Sequence, residues 1–415
     1  PAFLLCSTFA QAQGVAATTI TLPLGGYANA ASAGSDPTTT MDVAALDQAL
    51  AKLVAERGLV GASVALVDHG RTILAKGYGK MSLATGAPVT PETMFQVGSV
   101  TKQFASACIL LLAQDGKLSV EDKVAKYFPG LTDAGNITLL DLMGHVSGYP
   151  DYYPLDFVDA RLLQAASPDE IIGRYAGGQL DFPPRTRYSY SNTGFIILGR
   201  VVEKVSGQSF GDFLKRRILD PLGMTHSALD PEPPTPGLAQ GYISFALAPM
   251  EPASHEVKSW LYAAGGLAST PSDLARWNVA LLEGRVLKPE FYQLMTTPRS
   301  LADGRTTRYG CGLAINTRPD GELAFSHSGA VSGFLAENLV IPRTKSAVIV
   351  LINSEESGAI SALRSKLIST LMPENADVPK VSGPPAVEAA KTMFRELQSG
   401  QVDRSSLGDE FSQFL

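Results

Sequence analysis

Apolar positions recur at helical spacing near the start and near the end of the main body of the chain. Residues 41–57 place their apolar side chains on one face of a helix, and the pattern stops at Gly58, which is a good helix terminator. Residues 360–371 repeat this spacing and predict a second amphipathic helix. Residues 62–67 and 72–76 flank a short Asp-His-Gly-Arg turn, so they predict a β-hairpin.

Strand patterns return in the last part of the chain. The final one is a continuous apolar run, as expected for a strand that is covered on both faces. Residues 93–282, between the hairpin and these strands, are predicted to be mostly helical and broken by loops rich in Pro and Gly. The chain therefore predicts the α+β class: an antiparallel sheet flanked by helices, with a large all-helical lobe inserted into it. The predicted strands are residues 309–315, 323–327, 334–341 and 347–352.

The two ends of the chain differ in composition from this body, which we place at residues 41–376. Residues 1–40 combine a short apolar run with an Ala-Gln-Ala tripeptide, the small-x-small pattern of a signal cleavage site, and continue as a leader rich in Ala, Gly, Thr and Ser. They predict the tail of a signal peptide, and therefore a periplasmic or secreted protein. Residues 377–415 predict a Pro-rich linker, a helix at residues 386–398 and the start of a C-terminal domain.

Composition excludes several classes of protein. An apolar content of 45% with 18% charged residues is typical of a folded domain with a sizeable core. The net charge is −6 and no stretch is densely basic, so we expect no nucleic-acid partner. The 3 cysteines and 5 histidines show no spacing typical of metal ligands. After the N-terminal run, no apolar stretch reaches the ~18 residues of a membrane span, so no span is expected.

Ser99 opens a segment with strong helical spacing of apolar residues that ends near Gly116. Lys102 follows one turn later on the same face of that predicted helix. The unpaired N–H groups of the first turn can stabilise an oxyanion, and the positive helix end disfavours a charged lysine. A neutral Lys102 can then take the proton of the Ser99 hydroxyl. For this the lysine pKa must fall by about 3 units, roughly 4 kcal/mol, and burial must supply most of that.

A second polar motif, Tyr190-Ser191-Asn192, opens another predicted helix. The Tyr190 phenol can relay a proton between a nucleophile and a leaving group. Asn192 can donate to a substrate carbonyl or accept from Lys102. Tyr188 has no asparagine two residues later, so we assign the proton-handling role to Tyr190.

A third motif, His327-Ser328-Gly329-Ala330, lies on a predicted strand. Gly329 removes a side chain where a substrate backbone can approach the strand edge, and the Ala330 N–H can serve as a second oxyanion donor. His327 can be neutral at pH 7, since histidine has a reference pKa of about 6.5. If it tunes Tyr190 or Lys102, the pH–rate profile should contain a limb near neutrality that disappears in His327→Gln. Taken alone, each of the three motifs also fits a structural role.

The three motifs, in this order on a helix, a loop and a strand, resemble those of the serine β-lactamase and penicillin-binding protein superfamily. The resemblance is strongest to the class C β-lactamase-related branch, which includes D-aminopeptidases, DD-carboxypeptidases and carboxylesterases. It extends over residues 41–372 and implies the family fold, a covalent serine mechanism, and no metal or organic cofactor. It also implies an oxyanion hole formed by the N–H groups of Ser99 and Ala330. Further stretches that look like family landmarks are residues 94–99, 116–122, 139–148, 221–224 and 265–270.

Two departures from the family pattern concern substrate recognition. His327 stands where β-lactamases and many transpeptidases have a lysine, and this removes a fixed cation that would grip a β-lactam carboxylate. In this respect the chain is similar to the peptidase-type members. The loop before Tyr190 reads Pro183-Pro184-Arg185 where relatives usually have Pro-Gly, so the resemblance does not fix the shape of this loop.

A competing motif is the Gly-x-Ser-x-Gly sequence around Ser209, which matches the nucleophile elbow of α/β-hydrolases. That elbow requires a strand before the serine and a helix after it, whereas the preceding segment is predicted to be helical. Ser209 is therefore expected to lie in a turn between helices. His145, His226 and His255 are expected to have structural or solvated roles in loops.

Together these observations predict an exported serine hydrolase that forms an acyl-enzyme on Ser99, with Lys102 and Tyr190 moving the protons. Peptides with D-residues are the first predicted substrates because of His327; short-chain esters come second and β-lactams third. An alternative from another class is a penicillin-binding sensor that is acylated without turnover. The intact set of serine, lysine and tyrosine argues against that alternative.

Overall fold

The computed structural model describes most of the chain from residue 41 onward. The predicted signal segment and leader at residues 1–40, and the predicted linker at residues 377–385, lie outside the described residues. The described ranges are residues 41–153, 161–231, 235–244, 248–254, 256–257, 259–318, 321–372 and 386–402.

A six-stranded antiparallel sheet forms one half of the fold, in the order β2-β1-β11-β10-β9-β8. Its N-terminal hairpin pairs directly with the last strand, so the two ends of the domain meet in the middle of the sheet. Every residue of that last strand is buried, as its continuous apolar run predicts. The strands are β1 (Gly61–Asp68), β2 (Arg71–Gly79), β8 (Ala314–Thr317), β9 (Leu323–Val331), β10 (Phe334–Ile341) and β11 (Ser346–Ile352).

Helices cover this sheet and build the inserted lobe. The predicted first and last amphipathic helices, α1 and α10, contact each other, and α10 also packs on β11. Within the described ranges no helix is both long enough and apolar enough to cross a bilayer. The helices are α1 (Val43–Glu56), α2 (Thr101–Gln114), α3 (Leu139–Met143), α4 (Pro168–Ala176), α5 (Asn192–Ser206), α6 (Phe210–Leu214), α7 (Tyr262–Gly265), α8 (Pro271–Leu282), α9 (Pro289–Met295), α10 (Ser357–Leu371) and α11 (Ala386–Ser399).

The insertion between β2 and β8 is mostly helical, but it also contains short strands that the sequence patterns did not predict. Strand β3 (Phe95–Gln96) near its start pairs with β7 (Leu267–Ser269) near its end, and β4 (Ala228–Leu229) completes a three-stranded sheet. A separate pair joins β5 (Tyr242–Ile243) to β6 (Glu251–Pro252). The β3–β7 pairing fixes the two ends of the insertion beside each other, next to the start of α2.

The strand predicted at residues 309–315 forms only at Ala314–Thr317. Glycines explain the difference. A Cβ on Gly310 would overlap the Met295 carbonyl, and Gly312 has φ = +71° and lies against the Lys102 carbonyl. The chain therefore turns here to contact α2 and α9, and extends only afterwards.

Helix α2 is buried on all sides from Thr101 to Leu112, so it is the central helix of the domain. Gln103 ties it to the elements around it, because its Oε1 accepts from Trp277 of α8 at 3.1 Å and from Asn338 of β10 at 3.3 Å. Buried polar groups with well-defined partners fix one arrangement of a core. The start of α2 is thereby held against both the sheet and the inserted lobe.

Candidate active site

Ser99 lies in a single 3₁₀ turn, Gly98–Val100, that leads directly into α2. Gly98 has φ = +51°, in the left-handed region that glycine adopts without strain. A Cβ on Gly98 would lie 2.8 Å from the backbone nitrogen of Ala330, so glycine here lets the turn approach β9. Thr101 fixes the turn from the other side: its hydroxyl donates to the Gly98 carbonyl at 2.6 Å and accepts from a backbone N–H of β7 at 3.0 Å.

Lys102 is fully buried on the first turn of α2, and its Nζ has three close oxygen neighbours. Asn192 Oδ1 and the Ala264 carbonyl each lie at 2.7 Å, and Ser99 Oγ lies at 3.0 Å. The Tyr190 hydroxyl lies 2.8 Å from the same Ser99 Oγ. The structure therefore brings the serine and lysine of the first motif together with the tyrosine and asparagine of the second.

The number of hydrogens around Lys102 determines how this group can act. A neutral amine has two N–H bonds and one lone pair, and both carbonyl oxygens beside it can only accept. The two N–H bonds therefore point to Asn192 and Ala264, which leaves the lone pair for the Ser99 hydroxyl. Ser99 then donates its only proton to Lys102 and accepts from Tyr190. The arrangement forms a directed chain of donors from the phenol through the serine to the amine.

The electrostatics of the site favour these neutral forms. Burial lowers the pKa of Lys102 from 10.5 to about 7, although the Asp151 carboxylate opposes the change. A decrease of this size corresponds to about 5 kcal/mol against the charged form. Burial also raises the pKa of Tyr190 well above its usual value, so the phenol keeps its proton and can donate it.

Strand β9 supplies the third side of the site. Ala330 lines a small cavity together with Ser99, so its backbone faces the same space as the serine. A Cβ on Gly329 would overlap the carbonyl of Val97 and lie 3.2 Å from the Ser99 nitrogen. The absent side chain thus makes room for the chain's own turn before Ser99, whereas the sequence argument reserved that space for a substrate backbone.

His327 is buried and is held by two hydrogen bonds. Its Nδ1 lies 2.6 Å from the Ser328 carbonyl, which can only accept, so Nδ1 carries the proton and Nε2 accepts from the Tyr309 hydroxyl at 2.7 Å. Burial, and then the nearby Lys102, lower its pKa to about 3. The pKa of His327 is therefore far below the neutral range expected from the sequence. The pKa of Lys102 lies in that range instead.

His145 was expected to have a structural or solvated role in a loop, and sequence analysis did not connect it with Tyr190. Its carbonyl accepts from Ser189 N–H at 2.9 Å, and its ring Nδ1 accepts from Ser191 N–H at 3.1 Å. The ring also stacks on Tyr190, with centroids 4.2 Å apart. Burial, Lys102 and then His327 hold the pKa of His145 well below 6.5, so it is a neutral acceptor. His145 therefore holds the backbone of Ser189 and of Ser191, the residues on both sides of Tyr190.

Asp151 was also missed. Its carboxylate accepts from the backbone N–H of Asn192 at 3.0 Å and from Asn192 Nδ2 at 3.1 Å. Residues 145–153, which include both missed side chains, directly follow α3 and combine glycine, proline and tyrosines without a regular period. The overlap with a family landmark at residues 139–148 was the available signal, but it does not identify the partner of either side chain.

Ser209, the serine of the competing motif, has a different role. Ser209 caps α6: its hydroxyl accepts from Asp212 N–H at 3.0 Å and lies 2.6 Å from the Asp212 carboxylate. It therefore stands between two helices, as expected, and lacks the preceding strand of a nucleophile elbow. The Tyr188 ring lies against Tyr309, 5.8 Å between centroids. His226 has an exposed side chain beside a threonine hydroxyl, and His255 lies outside the described residues.

Arg185 stands in the loop before Tyr190, where relatives usually have Pro-Gly, and the structure explains how this loop is held. Arg185 has φ = +64°, in the region where the glycine of relatives is unstrained. Its guanidinium lies 2.6 Å from the buried Asp141 carboxylate and also donates to the Asn136 carbonyl at 3.1 Å. These contacts offset the backbone strain, so the same loop conformation is held by a side chain instead of by glycine.

The described residues contain no group of three or more His, Cys, Asp or Glu side chains arranged to hold a metal ion. The cavity beside Ser99 has a free volume of only about 30 Å³ and is lined mainly by apolar groups, including Tyr152, Leu261 and Val331. A serine that lines such a cavity, with a neutral lysine and a neutral tyrosine hydrogen-bonded behind it, has the groups needed for acyl transfer.

Comparisons with known proteins agree with this geometry. The beta-lactamase family matches residues 46–369. The chain is 28% identical to penicillin-binding protein 4* of Bacillus subtilis, over 74% of this chain and 71% of that protein. It is 27% identical to a D-aminopeptidase of Gluconobacter oxydans over 77% of this chain, but the match spans only 60% of that relative's length.

Among solved structures, the octameric penicillin-binding protein homologue from Pyrococcus abyssi superposes with a TM-score of 0.71 and 29% identity. The alignment covers 86% of this chain and 82% of that one. Family match, fold and arrangement of polar side chains all indicate the same conclusion: this chain belongs to the beta-lactamase family and is a serine hydrolase.

Proposed function

We propose that this protein hydrolyses amides of D-amino acids and short peptides that contain D-residues, through an acyl-enzyme on Ser99. The observation that carries the proposal is the enclosed amine of Lys102, whose lone pair is directed at the Ser99 hydroxyl 3.0 Å away. A serine hydroxyl needs such a base to become a nucleophile at neutral pH.

In the acylation step Lys102 takes the Ser99 proton while Oγ attacks the substrate carbonyl carbon. The N–H groups of Ser99 and Ala330 stabilise the oxyanion that forms. As the carbon–nitrogen bond breaks, Tyr190 delivers its proton to the leaving nitrogen. The proton that Lys102 took from Ser99 then goes to the Tyr190 phenolate, which restores the phenol and the neutral amine. Protons therefore balance: the amine leaves with the proton of Tyr190, and the proton that began on Ser99 ends on Tyr190.

Deacylation reverses these roles for water. A water molecule attacks the ester carbon and gives one proton to Lys102, and Lys102 returns that proton to the Ser99 oxygen as the acid leaves. Asn192 acts in this proposal as an acceptor for Lys102. Its Oδ1 is already engaged by Nζ at 2.7 Å, which favours this role over that of a substrate-carbonyl donor.

Two observations support amides of D-amino acids over β-lactams. His327 is buried and neutral, so the third motif offers no cation for a β-lactam carboxylate. The cavity beside Ser99 is small and mainly apolar, which suits a compact uncharged side chain such as that of D-alanine. The relationship to a D-aminopeptidase is consistent with this substrate class. Short esters are the second candidate, because an ester needs less help for its leaving group.

The test is a substrate panel ranked by kcat/KM: D-alanyl and L-alanyl p-nitroanilide, p-nitrophenyl acetate and nitrocefin. We expect the D-amide to exceed the L-amide by about 10-fold to 100-fold, a range typical for a pocket that discriminates by shape. Nitrocefin should be the slowest. Efficient nitrocefin hydrolysis without amide or ester turnover would contradict the substrate assignment and leave the acyl-enzyme mechanism in place.

The nucleophile is tested separately with a fluorophosphonate probe and mass spectrometry of the labelled peptide. Ser99→Ala should abolish both labelling and turnover. Ser209→Ala is the matched control, because it removes a serine from the competing motif, and it should leave both unchanged. Labelling of Ser209 in the native protein would show that the site has been assigned to the wrong serine.

A further inference from the structure

The Asp151 carboxylate lies directly behind Asn192, on the side away from Lys102. One oxygen accepts from the Asn192 backbone N–H at 3.0 Å, and both oxygens lie 3.1 Å from its side-chain Nδ2. The backbone N–H of Tyr153 adds a further hydrogen bond at 3.3 Å, which holds the carboxylate in place. Asp151 thus contacts both the backbone and the side chain of Asn192, and Asn192 contacts Lys102, the candidate base.

These contacts determine which way the Asn192 amide faces. A carboxylate can only accept, so the atom turned toward it must be the nitrogen, and Oδ1 then faces Lys102. The reverse orientation would turn an NH₂ group toward Nζ. That group would compete with the Ser99 hydroxyl for the lone pair of the amine and would leave one Lys102 N–H without its acceptor.

We propose that Asp151 is a positioning residue: it locks the Asn192 amide so that the lone pair of Lys102 is kept for Ser99. This inference rests on the proposed role of Lys102 as the base of the acylation step. Asp151 touches neither the serine nor the cavity above it; it acts through Asn192, and through its charge on Lys102.

The charge of Asp151 provides a signature that distinguishes this role. Within the described ranges, the other titratable side chains that face Lys102 are His145, His327 and Tyr190, and all three are neutral because burial disfavours their charged forms. Asp151 is therefore the anion that raises the pKa of Lys102 against the effect of burial. Without this charge, Lys102 should lose its proton at a lower pH.

A purely structural role must also be considered, because Asp151 stands at the N-terminus of α5. The cap residue of that helix, Ser191, makes no side-chain hydrogen bond to it, whereas Asp151 accepts from its first N–H. An anion at this end stabilises a helix. If Asp151 only capped the helix, its replacement would lower the stability of the protein but leave the pKa of Lys102 unchanged.

The experiment measures the rate of Ser99 labelling by a fluorophosphonate as a function of pH, since this reports nucleophilic attack by the Ser99 hydroxyl without assuming a natural substrate. In Asp151→Asn we expect the plateau rate to fall about 10-fold to 100-fold, the usual cost of a misplaced catalytic group. The pH of half-maximal labelling should move below its native value near 7, by about one pH unit for a neighbouring charge. The double variant Asp151→Asn/Asn192→Asp places the carboxylate against Lys102. It should raise the pH of half-maximal labelling above the native value.

Asp141→Asn is the matched control, because Asp141 is a buried carboxylate that caps α3 and does not contact Asn192. It should lower the melting temperature but leave the pH of half-maximal labelling unchanged. The inference is overturned if both Asp151 variants keep the native half-maximal pH, or if both move it in the same direction. Should Asp151→Asn fail to fold, the double variant retains one amide and one carboxylate, and an unchanged half-maximal pH there is sufficient to reject the proposal. If the D-amide panel fails while these shifts occur, only the substrate assignment is lost.

Discussion

Ser99 and Lys102 lie three residues apart at the start of α2, whereas Tyr190 and Asn192 depend on side chains 41 to 46 residues earlier in the chain. The first pair is placed by one helical turn, and the rest of α2 is buried around it. Tyr190 lies in the loop before α5, and Asn192 is the first residue of that helix; His145 and Asp151 hold the two in place.

This difference separates local from tertiary positioning. The 3₁₀ turn that leads into α2 sets the i, i+3 relation of the first pair, so the pair is correct whenever this turn and the first turn of α2 form. The second pair is correct only when residues 145–153 are also in place. Changes in the first pair should therefore remove chemistry outright, while changes around the second should reduce it in proportion to the positioning lost.

The largest effect is expected at the base. Lys102→Arg keeps a cation that does not lose its proton at accessible pH, so kcat/KM should fall by ~10³-fold or more. In the native enzyme kcat/KM should rise with pH through about 7, because Lys102 must lose its proton to accept one from Ser99. A pH–rate profile for the native enzyme and for His327→Gln provides the check. Both should keep the rise of kcat/KM near pH 7. Its loss in His327→Gln would show that His327, and not Lys102, is the group that titrates there.

The next effect shows which tyrosine of the second motif handles the proton. Tyr190→Phe removes the hydroxyl 2.8 Å from Ser99 Oγ and should lower kcat by about 10²-fold, as for loss of a general acid. Tyr188→Phe removes an equivalent hydroxyl from a ring that packs against Tyr309, and should change kcat little. Steady-state kinetics of the two variants side by side decide the matter. A larger loss in Tyr188→Phe would show that the proton-handling role belongs to the other tyrosine.

A smaller effect is expected at His145, which holds Tyr190 without touching the serine. His145→Phe keeps a stacked ring but leaves the Ser191 N–H without its acceptor, at a cost of about 1–3 kcal/mol. We expect kcat to fall about 10-fold with KM nearly unchanged, and the melting temperature to decrease. The exposed His226→Phe is the control. A change in KM alone would indicate a role in substrate binding instead.

The smallest effect is one of stability, at the loop that relatives build with glycine. Arg185→Ala and Arg185→Gly both lose the ion pair with Asp141, but only glycine relieves the positive φ. Arg185→Gly should therefore be more stable than Arg185→Ala by about 1 kcal/mol, measured by urea denaturation. Equal stabilities would mean that the loop changes conformation once the guanidinium is removed.

The sequence predicted the parts of the molecule that have a local period. The helix after Ser99, the hairpin and the apolar strand β11 follow from regular spacing, and the three motifs fall on the helix, loop and strand expected of them. His145 and Asp151 were missed because their partners are distant in sequence and lie in a loop, where no period reports which side chains meet. The neutral state of His327 depends on burial and on the nearby Lys102, and neither can be read from its own motif.

The close approach of Gly98 to Ala330 has a consequence for the newly made chain. The two proposed oxyanion donors come from segments that are synthesised far apart, one at the start of α2 and the other on a strand near the end of the domain. A partly folded chain in which α2 has already formed presents a serine and a lysine but no pocket to stabilise the charge of the reaction. With the proposed oxyanion hole, the chain is therefore expected to hydrolyse a substrate only after β9 has packed against the turn before α2.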